Sequence, residues 1–213
     1  TYPFYQGSIW VGSAAPTASG DAEWRDTQGS ISGTFDLQAD AEWNRINIVS
    51  VASGNPDVTI GSSTGSVLTL GNNDYTVYVS KGLLTLNVDL RLSLNSGLFA
   101  TGGSIVVNGD IDNNGYTLKL RNNGNTIDVY GDISGSGGLI AYRQQGSTAS
   151  TLHGVNTYTG ATTIQDGTLY LGSGGSIANS SSILIQVPDS TATWSSHLGV
   201  LDTTARNDFS LLA

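Results

Sequence analysis

The chain has 213 residues, a formal net charge of −9 and no cysteine. Its acidic balance repels phosphate backbones and anionic lipid surfaces, and its eight Lys and Arg residues are scattered from Arg25 to Arg206, which disfavours nucleic-acid binding. The lack of cysteine excludes disulfides and thiolate metal sites, and no apolar run approaches the roughly 20 residues that a membrane-spanning helix needs.

The first 43 residues differ from the rest of the chain. They contain six of the seventeen acidic residues and three of the four tryptophans, Trp10, Trp24 and Trp43, and they show no clear repeat. Because a solenoid exposes an open β edge at each end, its terminal segments are modified into caps. We therefore predict an N-terminal cap over residues 1–43 and a β-helix over residues 44–213 that continues beyond the C-terminus.

Short runs that alternate apolar and polar residues follow, each flanked by Gly or Asn; clear examples are residues 66–70, 75–79, 104–107 and 126–130. Such a period of two places the apolar side chains on one face of a strand. The 28 glycines and the many Ser, Thr and Asn residues suit tight turns between these strands.

An internal repeat joins these strands into a larger pattern. The frame V-x-G-D-I-x-x-x-G occurs at residues 107–115 and again at residues 129–137, with a weaker echo at 87–90. A period of about 20 to 25 residues built from strands is typical of one coil of a β-solenoid. An antiparallel β-sandwich also accommodates short alternating strands, but sandwiches rarely repeat their own sequence, so we favour the solenoid.

Asp110, Asp112 and Asn114 match the opening D-x-D-x-N-G of a calcium-binding loop, in which oxygen side chains and a glycine turn surround a hard cation. The twelfth position of such a loop requires a bidentate acid, and here it is Arg121. The alternative is an Asx-type turn between two coils. We favour the turn and expect no cofactor, with calcium as the minor possibility.

A second alternative is an enzyme on the same fold. A coil with the period of the repeated frame places Asp110 near Asp132 and Arg121 near Arg143 on adjacent coils. Pectate-lyase-like β-helix enzymes use stacked carboxylates to bind calcium, together with a basic residue beside the scissile bond. Here the acidic and basic pairs lie nearly half a coil apart, so we favour a solvated turn.

Two further candidate sites, a serine-hydrolase triad and an aromatic surface for glycans, have less support in the sequence. His153 and His197 have no G-x-S-x-G sequence nearby, so a serine-hydrolase triad is disfavoured. Tyr75 and Tyr78 are expected on opposite faces of one strand, and the later tyrosines recur at irregular intervals, so we predict no single aromatic row for glycan binding.

The segment 131–185 has the most specific sequence. It contains Gly-Asp-Ile-Ser-Gly-Ser-Gly-Gly-Leu at 131–139, Asn-Thr-Tyr-Thr-Gly-Ala-Thr-Thr-Ile at 156–164 and Gly-Thr-Leu-Tyr-Leu-Gly at 167–172. In type and order these blocks closely resemble the autotransporter-associated β-strand repeat. The one departure is residues 142–152, which replace the usual Gly-rich strand.

The resemblance implies a right-handed parallel β-helix exported to the surface of a Gram-negative bacterium, or into the medium, with scaffolding and adhesion as its roles. It also fits structural roles for the residues of the repeat. Turn roles are expected for Asn156, Gly160, Gly167 and Gly172, and core roles for Tyr158, Ile164, Leu169 and Leu171.

The sequence therefore predicts an all-β protein, a right-handed parallel β-helix with an N-terminal cap and no catalytic residues. We expect a structural or adhesive segment of a larger secreted or cell-surface protein. The alternatives are a polysaccharide-binding or polysaccharide-cleaving β-helix and a self-assembling filament subunit. Expected partners are surface glycans, other surface proteins or a second copy bound end to end, with no nucleic acid and no membrane insertion.

Overall fold

The structure is a computed structural model. The residues that it describes are 20–26, 32–50, 54–71, 75–145, 149–186 and 199–205. Within these ranges the chain forms strands and turns and no helix, so no described helix could cross a membrane. Strand pairs are parallel throughout, and the strands stack into a β-solenoid of about seven turns. The predicted all-β solenoid is confirmed, and its right-handed sense stays a prediction.

Twenty strands build the described part of the chain. In chain order they are β1 (Gly20–Asp26), β2 (Gly33–Asp36), β3 (Ala41–Ser50), β4 (Asp57–Gly61), β5 (Val67–Leu70), β6 (Val77–Val79), β7 (Gly82–Asn87), β8 (Asp89–Leu92), β9 (Ser96–Ala100), β10 (Gly103–Val107), β11 (Ile111–Asp112), β12 (Leu118–Asn123), β13 (Ile127–Val129), β14 (Ile133–Ser134), β15 (Leu139–Gln145), β16 (Ala149–Leu152), β17 (Thr162–Gln165), β18 (Thr168–Leu171), β19 (Ile183–Gln186) and β20 (Val200–Asp202).

The strands line three faces of the solenoid. Face 1 contains β5, β8, β11 and β14, face 2 contains β6, β9, β12, β15, β17 and β19, and face 3 contains β2, β4, β7, β10, β13, β16, β18 and β20. The long strand β3 joins faces 1 and 2 into one sheet, because its first half pairs with β5 and its second half with β6. From β4 to β15 the chain visits the three faces in turn, whereas from β16 onwards its strands alternate between faces 3 and 2.

The predicted register holds on face 1. Ile111 of β11 pairs with Ile133 of β14 on the next coil and with Leu90 of β8 on the preceding coil. All three side chains are buried, with at most 2% of their surface exposed. The repeat and its upstream echo thus mark equivalent positions on three successive coils, and their apolar residues form one inward column.

The predicted proximity of Arg121 and Arg143 is wrong by one residue. Arg121 pairs with Tyr142, and Arg143 pairs with Asn122. The cause is the length of the corner before each strand: residues 113–117 link β11 to β12, whereas residues 135–138, one residue fewer, link β14 to β15. The spacing between paired positions is therefore one residue shorter on face 2 than on face 1, and two like charges are not stacked in register.

The glycine of the repeated frame is required by the close approach of successive coils. A Cβ atom on Gly131 would lie 2.0 Å from the Gly109 carbonyl oxygen, and a Cβ on Gly109 would lie 2.2 Å from the Val88 carbonyl oxygen. Both distances are far inside van der Waals contact with backbone that cannot move independently. This corner therefore requires glycine at positions 109 and 131, whereas the equivalent position on the preceding coil is Val88.

Part of the predicted cap region forms strands in the same sheets. Strand β1 pairs with β3 and β2 pairs with β4, both in parallel. Trp24 and Trp43 are buried, and the Trp24 ring meets the Phe35 ring edge-on at a centroid distance of 5.1 Å. Trp10 lies outside the described residues, and the cap over residues 1–43 stays a prediction.

Truncating the inward column should cost substantial stability. Ile111→Ala and Ile133→Ala should each lower the free energy of unfolding by about 2 to 5 kcal/mol, because each leaves a cavity in a close-packed core. The double variant should be non-additive, because the two side chains share one column. The measurement is urea denaturation followed by circular dichroism.

The matched control is Ile140→Ala, since Ile140 is only half-buried and alternates with the inward residues of β15. This outward truncation should cost less than about 1 kcal/mol. Equal losses at Ile111, Ile133 and Ile140 would contradict the assignment of inward and outward positions.

Candidate functional site

The calcium-like turn lies at the corner between faces 3 and 1 and continues past β11. The Asp112 Oδ1 accepts a hydrogen bond from the Asn114 backbone N–H at 2.8 Å, which is an Asx turn. Asn114 has a positive φ of 49°, in the left-handed region that asparagine tolerates. The Asn114 Oδ1 accepts a hydrogen bond from the Arg91 guanidinium at 3.2 Å.

Arg91 supplies the positive charge at this turn. Its Nε lies 3.7 Å from the Asp112 Oδ2, and both side chains are about half exposed. Exposed ion pairs contribute little to stability. The importance of this contact is that the Asp112 carboxylate already faces a cation, the Arg91 guanidinium. Among the described residues no three His, Asp or Glu side chains are grouped so that they could hold a metal ion.

Asp110 belongs to a row of aspartates rather than to the Asx turn. Its Oδ1 accepts a hydrogen bond from the Asp132 backbone N–H on the next coil at 2.8 Å. Asp89 accepts in the same way from the Asp110 N–H at 2.9 Å, and Asp132 from the Val155 N–H at 2.7 Å. We call Asp89, Asp110 and Asp132 the aspartate ladder; each carboxylate holds the backbone of the following coil.

The ladder also bears on the polysaccharide-cleaving alternative. Asp110 and Asp132 lie on adjacent coils as predicted, but in the corner before face 1. Arg121 lies on β12 in face 2. The structure therefore places the two aspartates on adjacent coils and the arginine on another face.

We expect calcium to be without effect on stability. Addition of EDTA or of millimolar calcium should leave the Tm unchanged, because the Asp110 and Asp112 oxygens serve backbone N–H groups and Arg91. Thermal melts followed by circular dichroism would check this. A calcium-dependent rise of several degrees that Asp112→Ala abolishes would contradict it and establish a metal site.

The repeat block 156–164 builds a buried polar network. The Tyr158 side chain is 1% exposed, and its hydroxyl lies 2.5 Å from the Thr162 Oγ1. The Thr162 Oγ1 donates to the Ser180 Oγ at 2.9 Å, which in turn donates to the Gly160 carbonyl at 2.9 Å. Ser180 on the following coil thus links the Thr162 hydroxyl to the Gly160 carbonyl.

The other predicted roles in the repeat are also visible. Tyr158, Ile164, Leu169 and Leu171 are all buried, as predicted. Asn156 is buried at its corner, where its Oδ1 accepts a hydrogen bond from the Ile133 N–H on the previous coil at 2.9 Å. These roles are structural. They explain why the residues occur at these positions, and no catalytic role has to be invoked.

Burial raises the pKa of Tyr158 to about 12, and the hydrogen bond with Thr162 only partly opposes this. The unfolded chain therefore loses this proton near pH 10 and the folded protein only near pH 12. The stability contributed by neutral Tyr158 should be complete below pH 10 and lost as the pH rises towards 12.

Tyr158→Phe tests this linkage, because phenylalanine has no proton to lose. The variant should be less stable at neutral pH, since the Thr162 hydroxyl keeps Ser180 but loses the Tyr158 hydroxyl as a partner. Its Tm should nevertheless fall less than that of the unsubstituted protein at alkaline pH. Thermal melts between neutral pH and pH 11.5 would measure both effects. Parallel alkaline losses in the two proteins would contradict the assignment.

A row of aromatic and arginine side chains on the outside of face 2 was not predicted. Tyr78, Phe99, Arg121 and Tyr142 are paired in sequence from β6 to β15. The Arg121 Cζ lies 4.2 Å from the centroid of the Phe99 ring, 5.1 Å from that of Tyr142 and 5.4 Å from that of Tyr75. We call these five residues the arginine–aromatic cluster.

The cluster is tied together by polar and ring contacts. The Arg121 Nη1 donates a hydrogen bond to the Tyr75 hydroxyl at 2.6 Å. The Phe99 ring lies 5.2 Å from the Tyr75 ring and 5.5 Å from the Tyr78 ring. Phe99 is 5% exposed and Tyr75 is 40% exposed, so the guanidinium and the outer ring cover the inner one.

The expectation of no single aromatic row is therefore wrong. Tyr75 lies before β6 rather than within a strand, so it turns towards the same side as Tyr78 and both contact Phe99. The row could not be recognised from the spacing of tyrosines alone, because two of its positions are occupied by Phe99 and Arg121. A search at the period of the coil for any planar side chain would have found it.

His153 makes a ring contact just after the end of β16 on face 3. Its ring stacks on the Tyr130 ring with a centroid distance of 4.0 Å and an interplanar angle of 6°. Its Nε2 lies 3.5 Å from the Asp128 Oδ1, and a Cβ on Gly172 would lie 2.6 Å from its Nδ1. His153 thus fills the space left by a glycine of the repeat. His197 lies outside the described residues.

Comparison of the chain with models of protein families, with curated proteins and with solved structures finds no significant match in any of the three.

Proposed function

We propose that this chain is a non-enzymatic segment of a larger secreted or cell-surface bacterial protein, in which the β-solenoid is a rigid scaffold and an adhesive surface. The observation that carries the proposal is the continuity of the stack. Face 3 runs through eight parallel strands from β2 to β20. A rod of this kind fixes the spacing of surface groups along its axis, which suits presentation and adhesion.

Two further features support the proposal. The conspicuous carboxylates Asp110 and Asp132 are used to hold backbone N–H groups of neighbouring coils, which accounts for them without catalysis. The blocks within residues 131–185 resemble a repeat found in exported bacterial proteins, which supports a location outside the cell.

Surface labelling of intact cells would test the exported location. The chain contains no cysteine, so Thr34→Cys introduces a single thiol at an exposed position of β2. On cells that produce the protein from its natural gene, a membrane-impermeant maleimide should label this variant without lysis. Mass spectrometry of the isolated protein would measure the modification.

The matched control is Val107→Cys, because Val107 is completely buried on β10. This thiol should stay unlabelled in the folded protein and react only after denaturation. Labelling of Thr34→Cys in lysed but not in intact cells would contradict export.

A further inference from the structure

The sequence contains three Asn-Gly pairs, at residues 108–109, 114–115 and 123–124. In such a pair the glycine backbone nitrogen can attack the Cγ atom of the asparagine side chain, because glycine has no side chain to hinder the approach. The attack requires the asparagine amide to turn onto the backbone and the glycine N–H to be free. Hydrogen bonds to either group therefore slow the reaction, and the contacts of each pair decide its reactivity.

The pair Asn114-Gly115 is held at both reacting groups. The Asn114 Oδ1 accepts a hydrogen bond from Arg91 at 3.2 Å, and the Asn114 Nδ2 donates to the Leu92 carbonyl at 3.1 Å. The Gly115 N–H donates to the Asn113 Oδ1 at 3.2 Å. Several hydrogen bonds must therefore break before the glycine nitrogen can reach the asparagine Cγ.

The pair Asn108-Gly109 is held by the preceding coil. The Asn108 Nδ2 donates to the Asn87 Oδ1 at 2.6 Å, and the Gly109 N–H donates to the Leu86 carbonyl at 3.4 Å. The pair also lies in a crowded corner, where a Cβ atom on Gly109 would lie 2.2 Å from the Val88 carbonyl oxygen. The Asn108 amide is therefore bound to a neighbour and has little room to turn.

The pair Asn123-Gly124 has none of these restraints. Within the part of the chain that the structure describes, neither the Asn123 side chain nor the Gly124 N–H has a hydrogen-bond partner. Asn123 ends β12 at a shift in register, where it pairs with Gln145. Gly124 is exposed and has a positive φ of 93°, and a Cβ atom on it would meet no atom within 4 Å. Both reacting groups at this corner are therefore free and have room to move.

We propose that Asn123 is a site of spontaneous deamidation through a succinimide. The Gly124 backbone nitrogen bonds to the Asn123 Cγ and passes its proton, through solvent, to Nδ2. The Cγ–Nδ2 bond breaks, and the nitrogen leaves as ammonia. Water then opens the ring: addition at Cγ gives aspartate, and addition at the Asn123 backbone carbonyl carbon gives isoaspartate. Water is the only co-reactant, and nothing is oxidised or reduced.

The modification changes both the charge and the length of the chain at one corner. Each product adds one carboxylate to a protein whose formal net charge is already −9. The isoaspartate also adds one backbone atom just before residues 124–126, which link β12 to β13. Because Ile127 and Val129 of β13 are buried and paired with β10, this link must absorb the extra atom. The modification goes beyond the scaffold role and does not depend on export.

The test is incubation of the full chain at neutral pH and physiological temperature for several weeks, followed by tryptic digestion and tandem mass spectrometry. Conversion of amide to acid should be at least about tenfold faster at Asn123 than at Asn108 or Asn114, because the hydrogen bonds of the latter two must break first. Both aspartate and isoaspartate should form, since both arise from one succinimide. Equal rates at the three asparagines, or aspartate as the only product, would overturn the proposal.

The same chain in guanidinium chloride is the matched control for the role of the fold. The contacts of the folded state are then lost, so the three Asn-Gly pairs should react at similar rates. A preference for Asn123 that persists in the unfolded chain would mean that the local sequence decides the rate, and it would overturn the inference from the structure.

Two variants locate the reaction within the tryptic peptide 122–143. Asn123→Gln should abolish the product, because glutamine would have to close a larger ring. Its Tm should be unchanged, because the Asn123 side chain makes no hydrogen bond within the described part of the chain. Asn125→Gln is the control and should keep full conversion, since the Thr126 side chain hinders attack by its own nitrogen.

The variants can also contradict the proposal. Product in Asn123→Gln, or loss of product in Asn125→Gln, would place the reaction at another asparagine and would overturn it. Labelling of Thr34→Cys on intact cells is independent of these results, so the two proposals are judged separately.

Discussion

Parallel hydrogen bonding between successive coils is the constraint on which the rest of this structure depends. Adjacent strands in a sheet lie about 4.8 Å apart, so each coil must retrace the backbone of the one before it. Inward positions then stack into columns such as Leu90, Ile111 and Ile133. Where the coils approach most closely, only glycine fits, as at Gly109 and Gly131. Core, corners and repeat are consequences of one stacking rule.

The corners need a second source of hydrogen-bond acceptors. The hydrogen bonds between strands end there, and backbone N–H groups would otherwise be left without acceptors. The aspartate ladder supplies these acceptors from side chains, one per coil. Asn156 performs a similar task for the Ile133 N–H from the following coil. A repeated aspartate in a solenoid can therefore be a backbone acceptor, and its recurrence alone does not indicate a metal or catalytic site.

The sequence predicted those features that recur once per coil, because the same residues repeat along the sequence with the period of the coil. The equivalence of Ile111 and Ile133 is an example. It did not predict the pairing of Arg121 with Tyr142, because that depends on a corner one residue shorter than its counterpart. It also missed Arg91 as the partner of Asn114, a contact between adjacent coils that lies outside the repeated frame.

This difference separates the residues that the repeat explains from those that it does not. Positions that recur on successive coils, such as Gly131 and Asp132, are explained by stacking. Residues that stand outside the repeat and are not needed for stacking require another explanation. Arg121 is the clearest of these: it departs from the acid expected of a calcium loop, and it lies over Phe99 on the outside of the sheet. Its guanidinium lies among the rings of Phe99, Tyr142 and Tyr75 and donates a hydrogen bond to the Tyr75 hydroxyl, so its position is explained by contacts between coils that the repeated frame does not predict.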